Sequence, residues 1–236
     1  MKPDTSGGRS VHSLGLEAMT GAARYRRWLL ELIRPHCGQT ILEIGSGLGD
    51  LASEMSGYAR LVVSDVDAHC LSVLRERFDG KPGVEVRRFD ILADRLEPPV
   101  DTVIAVNVLE HVLQDGPALE ALRASLVPGG TIVLFVPGYP ALYGRYDRAV
   151  GHVRRYTPRS LSRVVQGAGL RVEVLRPVNF LGGVAWWLSV RVGGCSAPRA
   201  SLVRLYDRLI VPATAWIERR WIPPFGQSIF CVARVP

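Results

Sequence analysis

Apolar positions change their period repeatedly along this chain, and each change marks an element. Over residues 16–33, Tyr25, Trp28, Leu29, Leu32 and Ile33 recur at three- and four-residue steps, the period of an amphipathic helix. Pro35 and Gly38 close it. Residues 40–44 form a short β-branched run that breaks into glycine, and 50–56 resume as helix. Further strand runs lie at 61–64, 84–89, 101–106 and 131–136, the first three ending at Asp65, Asp90 and Asn107. Helical patterns at 71–78 and 116–126 separate them. Strand and helix therefore alternate through the first 136 residues, which predicts parallel strands joined by right-handed crossovers. A polar, arginine-rich loop follows, then a helix at 158–167, a strand at 171–175, an apolar segment at 178–192 and a last strand at 228–235. No composition break divides the chain, so one α/β domain over residues 1–236 is expected.

Charge changes this picture less than its size suggests. The net charge of +7 and pI near 9.6 invite a nucleic-acid partner. Lysine, however, occurs only at Lys2 and Lys81, and the arginines are scattered rather than clustered. A phosphate chain needs clustered charge, so no nucleic-acid partner is expected. Cys37, Cys70, Cys195 and Cys231 show no metal-ligand spacing and read as buried hydrophobes or free thiols; no metal is expected. The polar start of the chain lacks the apolar core of a secretory signal, and the longest apolar stretch is too short to span a bilayer. A cytoplasmic location is the expectation.

The glycine loop carries the chemistry. A strand that runs into Glu43-Ile44-Gly45-Ser46-Gly47-Leu48-Gly49 and then a helix brings backbone amides close to a ligand, because glycine has no side chain to block approach. Asp50 stands where a dinucleotide fingerprint wants its last glycine. Glu43, two residues before the first glycine, has no role toward a pyrophosphate and suits a ligand with a cationic end. Asp65 directly follows the second strand, while Asp67 competes with it as a solvated acid or the cap of the next helix.

With these residues the chain resembles the class I S-adenosylmethionine-dependent methyltransferases, in particular the group of ubiquinone- and menaquinone-type enzymes. LEIGSGLGDLA is similar to the first motif of that family, VVSDVDAHCL to the second, FDIL to the third, and NVLEHV and LVPGGTIVLFVP to the remaining two. The resemblance implies a Rossmann-like fold: a seven-stranded, mostly parallel sheet in the order 3-2-1-4-5-7-6, with an antiparallel seventh strand and helices on both faces. It implies S-adenosyl-L-methionine as cofactor, held by Tyr25, Glu43, Gly45, Ser46, Gly47, Asp65, Val66, Asp90, Ile91, Asn107 and Val108. Asp65 would hold the ribose hydroxyls, Asp90 would accept from the adenine amino group, and Ile91 would pack on the ring. Asp90 also reads as a helix cap, and Glu110-His111 as plain capping residues.

The acceptor side is less defined. NVLEHV replaces the motif of amino-methylating DNA enzymes, and no Pro-Cys pair is present, so the expected acceptor is a small molecule or a peptide. Residues 138–161 follow the fifth strand and should form a lid over the carboxyl edge of the sheet, where α/β proteins bind ligands. His152 is the candidate general base, since imidazole titrates near neutral pH. Tyr143 is a second catalytic candidate, and Arg154 or Arg155 can offer a fork to a carboxylate. One of these arginines also reads as a brace for the helix after Thr157-Pro158, where Thr157 is the expected N-cap. O-methylation is the leading expectation. Esterification of a peptide C-terminus and action on a lipid-like acceptor at a membrane surface are the alternatives. The GHVRRYT lid and the PPFGQS ending resemble bacterial tailoring enzymes, which implies natural-product modification. The segment around Trp186 and Trp187, with Trp221 further on, reads as a helix over the sheet, a homodimer seam, a pocket for a greasy acceptor or an interfacial patch.

Overall fold

The computed structural model describes residues 21–192 and 200–236. Its strands are β1 (Thr40–Ile44), β2 (Arg60–Asp65), β3 (Val84–Arg88), β4 (Val100–Val106), β5 (Leu126–Pro137), β6 (Arg171–Val178) and β7 (Ser228–Arg234). They form one sheet in the order β3-β2-β1-β4-β5-β7-β6. The first five run parallel, and β7 pairs antiparallel with both β5 and β6. This is the order that the family resemblance implied.

The helices are α1 (Ala23–Ile33), α2 (Ala68–Phe78), α3 (Asp115–Arg123), α4 (Arg145–Ala149), α5 (Pro158–Gly167), α6 (Phe180–Val192), α7 (Ala200–Leu205) and α8 (Val211–Glu218). A π-helical turn, Tyr206–Ile210, joins α7 to α8. Period-2 alternation along the strands builds two cores. Leu42 and Ile44 of β1 face one core with α3 and α5, whereas Ile41 faces the other with α1, α2 and Val211 of α8. Helices therefore cover both faces of the sheet.

Local chemistry explains where the elements begin. Thr157 caps α5, its Oγ1 accepting from Ser160 N at 3.1 Å, with Pro158 at the first helical position. Asp67 caps α2 by accepting from His69 N and Cys70 N, so that helix starts at Ala68 and not at 71. The helix expected over 50–56 is a single 3₁₀ turn, Ala52–Glu54, because Gly49 enters it with φ +77° and Met55 leaves it extended. The strand at 171–175 runs on to Val178, paired with β7 apart from a register shift between Val172 and Val174. Cys37, Cys70 and Cys231 are free thiols, while Cys195 and residues 16–20 of the first helical pattern lie outside the described residues.

Candidate active site

The carboxyl ends of β1 and β2 and the turn after β4 converge on the glycine turn, and the loop after β3 is tied to the end of β2 by Phe89 N to Asp65 O (3.2 Å). Gly45, Gly47 and Gly49 have φ of +65°, +55° and +77°, the left-handed region that glycine enters without strain. A Cβ on Gly45 would stand 2.6 Å from the Val108 side chain, so the loop after β1 presses against the turn after β4. The loop is tied to its neighbours by Ser46 N to Ser64 O (2.8 Å) and Gly47 N to Asp65 Oδ2 (2.9 Å).

Glu43 is buried, and its Oε2 accepts from Ser46 Oγ at 2.8 Å. Burial pushes its carboxyl up to about 7, against the Ser46 bond and with a smaller push from Asp65. Asp65 Oδ1 takes the amides of Val66 (2.8 Å) and Asp67 (2.9 Å), so only Oδ2 keeps a free lone pair. The two competing acids thus separate by role, Asp67 on the helix end and Asp65 on the loop. Asp90 Oδ1 accepts from Leu92 N at 3.0 Å in a local turn, and Ile91 is buried in the core. Asn107 sits at φ +53° with its amide on Phe135 O (2.8 Å), and Val66 is exposed. Tyr25 packs edge-on against Phe135, and burial raises its phenol, with smaller contributions from Tyr206 and Glu110.

The lid is a closed loop. Tyr139 N donates to Tyr156 O (2.6 Å) and Tyr156 N to Pro137 O (3.0 Å), joining its two ends. Its centre is Asp147, fully buried, which accepts from Gly144 N, His152 Nδ1 and Arg155 Nε, each at 2.8 Å. Burial alone would raise this carboxyl; the His152 bond and the Arg155 charge outweigh it and hold it below the usual range. An imidazole that donates from Nδ1 to Asp147 has, in its neutral form, a lone pair on Nε2.

That lone pair faces Glu110, with Nε2 3.7 Å from Oε1. Glu110 is fully buried, neither of its oxygens has a hydrogen-bond partner, and burial pushes it up to about 8. The His111 ring stands edge-on to His152 at 4.8 Å between centroids. Glu110, His111 and His152 bring their potential ligand atoms within 4.8 Å of one another. Glu110 follows Val108 by two residues, so one turn touches both the glycine loop and the lid.

The other lid candidates go elsewhere. Arg154 pairs with Asp115 on α3 and donates to Leu113 O (2.7 Å), while Arg155 also reaches Gly138 O (3.2 Å). Neither guanidinium presents a free fork to a ligand. Tyr143 OH donates to His152 O at 2.8 Å and so fixes the histidine backbone. Asp147 was absent from the sequence expectations, and Glu110 appeared there only as a capping residue. The available signal for Asp147 was its place as an acid in the first turn of a short helix, which marks a cap and not a partner of a guanidinium and an imidazole.

A Rossmann-like sheet with a glycine turn at its carboxyl edge and acids ending β1 and β2 defines a cofactor-binding α/β protein. The model of the family described as methyltransferase domain matches residues 18–175, and the chain belongs to that family. It is 30% identical over 180 residues to an uncharacterised 37.1 kDa protein in transposon Tn4556 of Streptomyces fradiae, covering 69% of this chain and 52% of that protein. It is 29% identical over 142 residues to an uncharacterised methyltransferase of Mycobacterium tuberculosis, covering 58% and 54%. The chain thus spans about half the length of these curated relatives. Among solved structures it is similar to an S-adenosylmethionine-dependent methyltransferase of Mesorhizobium loti, with 14% identity, a TM-score of 0.62, and 88% and 97% of the two chains covered.

Proposed function

We propose that the protein is an S-adenosylmethionine-dependent methyltransferase that methylates a hydroxyl of a small-molecule or peptide acceptor, as in the tailoring of natural products in the cytoplasm. The observation that carries this reading is the turn after β4. Val108 abuts Gly45 of the loop, and Glu110, two residues on, faces His152 of the lid. One turn thereby touches both the glycine loop and the lid.

The residues fit the cofactor. The acid of Glu43 and the amides of the glycine loop suit a ligand with a cationic amino-acid end, and Asp65 Oδ2 has room for a ribose hydroxyl. When bound, S-adenosylmethionine supplies a methyl carbon activated by its sulfonium. Transfer of that methyl would form the acceptor C–O bond as the C–S bond breaks, with S-adenosylhomocysteine as the leaving group. His152 Nε2 takes the hydroxyl proton, Asp147 stabilises the imidazolium through Nδ1, and the lid excludes water. The internal engagement of Arg154 and Arg155 favours a hydroxyl over a carboxylate acceptor, which would need a free guanidinium. Screening hydroxylated acceptors against their O-blocked and carboxylate analogues, with methyl-labelled cofactor, tests the reading. Label should enter only acceptors with a free hydroxyl; equal labelling of the blocked analogues would contradict it.

A further inference from the structure

Nine of the thirteen exposed large hydrophobic side chains among the described residues lie between Val184 and Ile222. On α6 they are Val184, Trp187 and Leu188, at three- and four-residue spacing on one side of the helix. Along α7, the π turn and α8 they are Leu202, Leu205, Leu209 and Trp216, again at steps that return to one side. The opposite side of the same helical run is Val203, Asp207, Val211, Thr214 and Glu218, all buried. An apolar stripe toward solvent on a helix that already has an inward stripe is not required by the fold.

The charges on this segment divide in the same way. Its two acids are consumed inside: Asp207 accepts from Arg24 N and Tyr25 N at the start of α1, and Glu218 accepts from Phe180 N at the start of α6. Exposed charge over residues 200–222 is therefore basic throughout, from Arg204, Arg208, Arg219 and Arg220. Arg219 pairs with Glu31, and Arg220 lies over the Trp216 ring, 4.8 Å from its centroid. Leucine and tryptophan flanked by arginine are the composition of a helix lying in a lipid interface, its apolar side among the acyl chains and its arginines at the head groups. No helix of the described residues is long and apolar enough to cross a membrane. A second copy is a poorer occupant, because a two-fold contact would bring the same arginines face to face.

We infer that the outer faces of α6 and of the α7–α8 run dock this protein on an anionic lipid bilayer, lying on the surface without crossing it. The contact reaches the lid through α6. Trp186 Nε1 donates to Leu142 O at 3.1 Å, and its ring meets Tyr146 edge-on at 5.3 Å and the Arg155 guanidinium at 5.4 Å. One helix thus presents Trp187 outward and holds the lid with Trp186. The inference does not depend on the chemistry proposed for the acceptor.

Co-sedimentation of the full chain with phosphatidylglycerol–phosphatidylcholine vesicles, compared with phosphatidylcholine alone, is the test. Binding should require the anionic lipid and fall as salt is raised. Arg204→Gln and Arg208→Gln should each reduce partition about fivefold, the effect of one basic residue near such a surface. Leu209→Glu combined with Trp216→Glu should abolish binding while the thermal unfolding midpoint stays near that of the parent. Failure to sediment with anionic vesicles, equal binding to neutral vesicles, or a dimer in light scattering that the Leu209→Glu and Trp216→Glu pair dissolves would each overturn the inference.

Discussion

The glycine loop and the lid meet at one edge of the sheet but are built by opposite means. The loop from Glu43 to Gly49 places main-chain groups, and its shape comes from three glycines in left-handed conformation. The lid from Gly138 to Tyr156 places side chains, and its shape comes from one buried carboxylate, Asp147, shared by an imidazole, a guanidinium and an amide. The loop is pre-formed by what glycine permits; the lid is held by charges that must stay paired. Substitutions in the loop should therefore act on cofactor affinity, and substitutions in the lid on turnover and stability.

The sharpest break would come at Gly47, which is buried at φ +55°. A β-branched residue there is strained, so Gly47→Val should abolish binding of S-adenosylhomocysteine in calorimetry while the domain still unfolds cooperatively. Undiminished affinity would remove the loop from the cofactor site. Next is Asp147→Asn, which leaves the Arg155 charge buried without its partner. It should lower stability by about 3–5 kcal/mol in urea unfolding, with little change in cofactor affinity for the protein that remains folded.

Asp65→Ala should weaken cofactor binding by about 1.5–3 kcal/mol, the range for a hydrogen bond to a charged group. Asp67→Ala should instead lower the free energy of unfolding by about 1 kcal/mol through the lost helix cap, and leave affinity alone. A reversed ranking would mean that the two acids have exchanged roles.

The smallest effect concerns Glu43. Burial raises its carboxyl from 4.5 to about 7, so much of it is protonated in the free protein below neutrality. A cationic ligand favours the ionised form, and binding must release that proton. Affinity should rise with pH by less than about tenfold per unit up to about 7 and then level off, and Glu43→Gln should flatten the profile. A slope that survives this substitution would assign the proton to another group.

How much was legible in the sequence follows the same division. Glycine spacing, the acid after β2 and the strand–helix alternation are local patterns, and the sheet formed as expected down to the antiparallel β7. The Asp147–His152–Glu110 arrangement joins Glu110 to a pair 37 and 42 positions further along the chain, and neither acid carries a mark of burial in its neighbours. The helices α7 and α8 were not assigned because Val203 and Val211 inside and Leu202 and Leu209 outside leave little contrast between their faces. The period that signals an amphipathic helix is then lost. Arg154 and Arg155 looked alike in the sequence; only packing sends one to Asp115 and the other to Asp147.

The division of labour between loop and lid is tested most directly at His152, the lid residue that joins Asp147 to the turn after β4. For His152→Ala, turnover with an acceptor bearing a free hydroxyl and the dissociation constant for S-adenosylhomocysteine should be measured on the same folded preparation. Turnover should fall roughly 10²–10⁴-fold, the range for loss of a general base, while the dissociation constant stays within about twofold of the parent. Unchanged turnover, or a loss of cofactor affinity as large as the loss of turnover, would contradict the account.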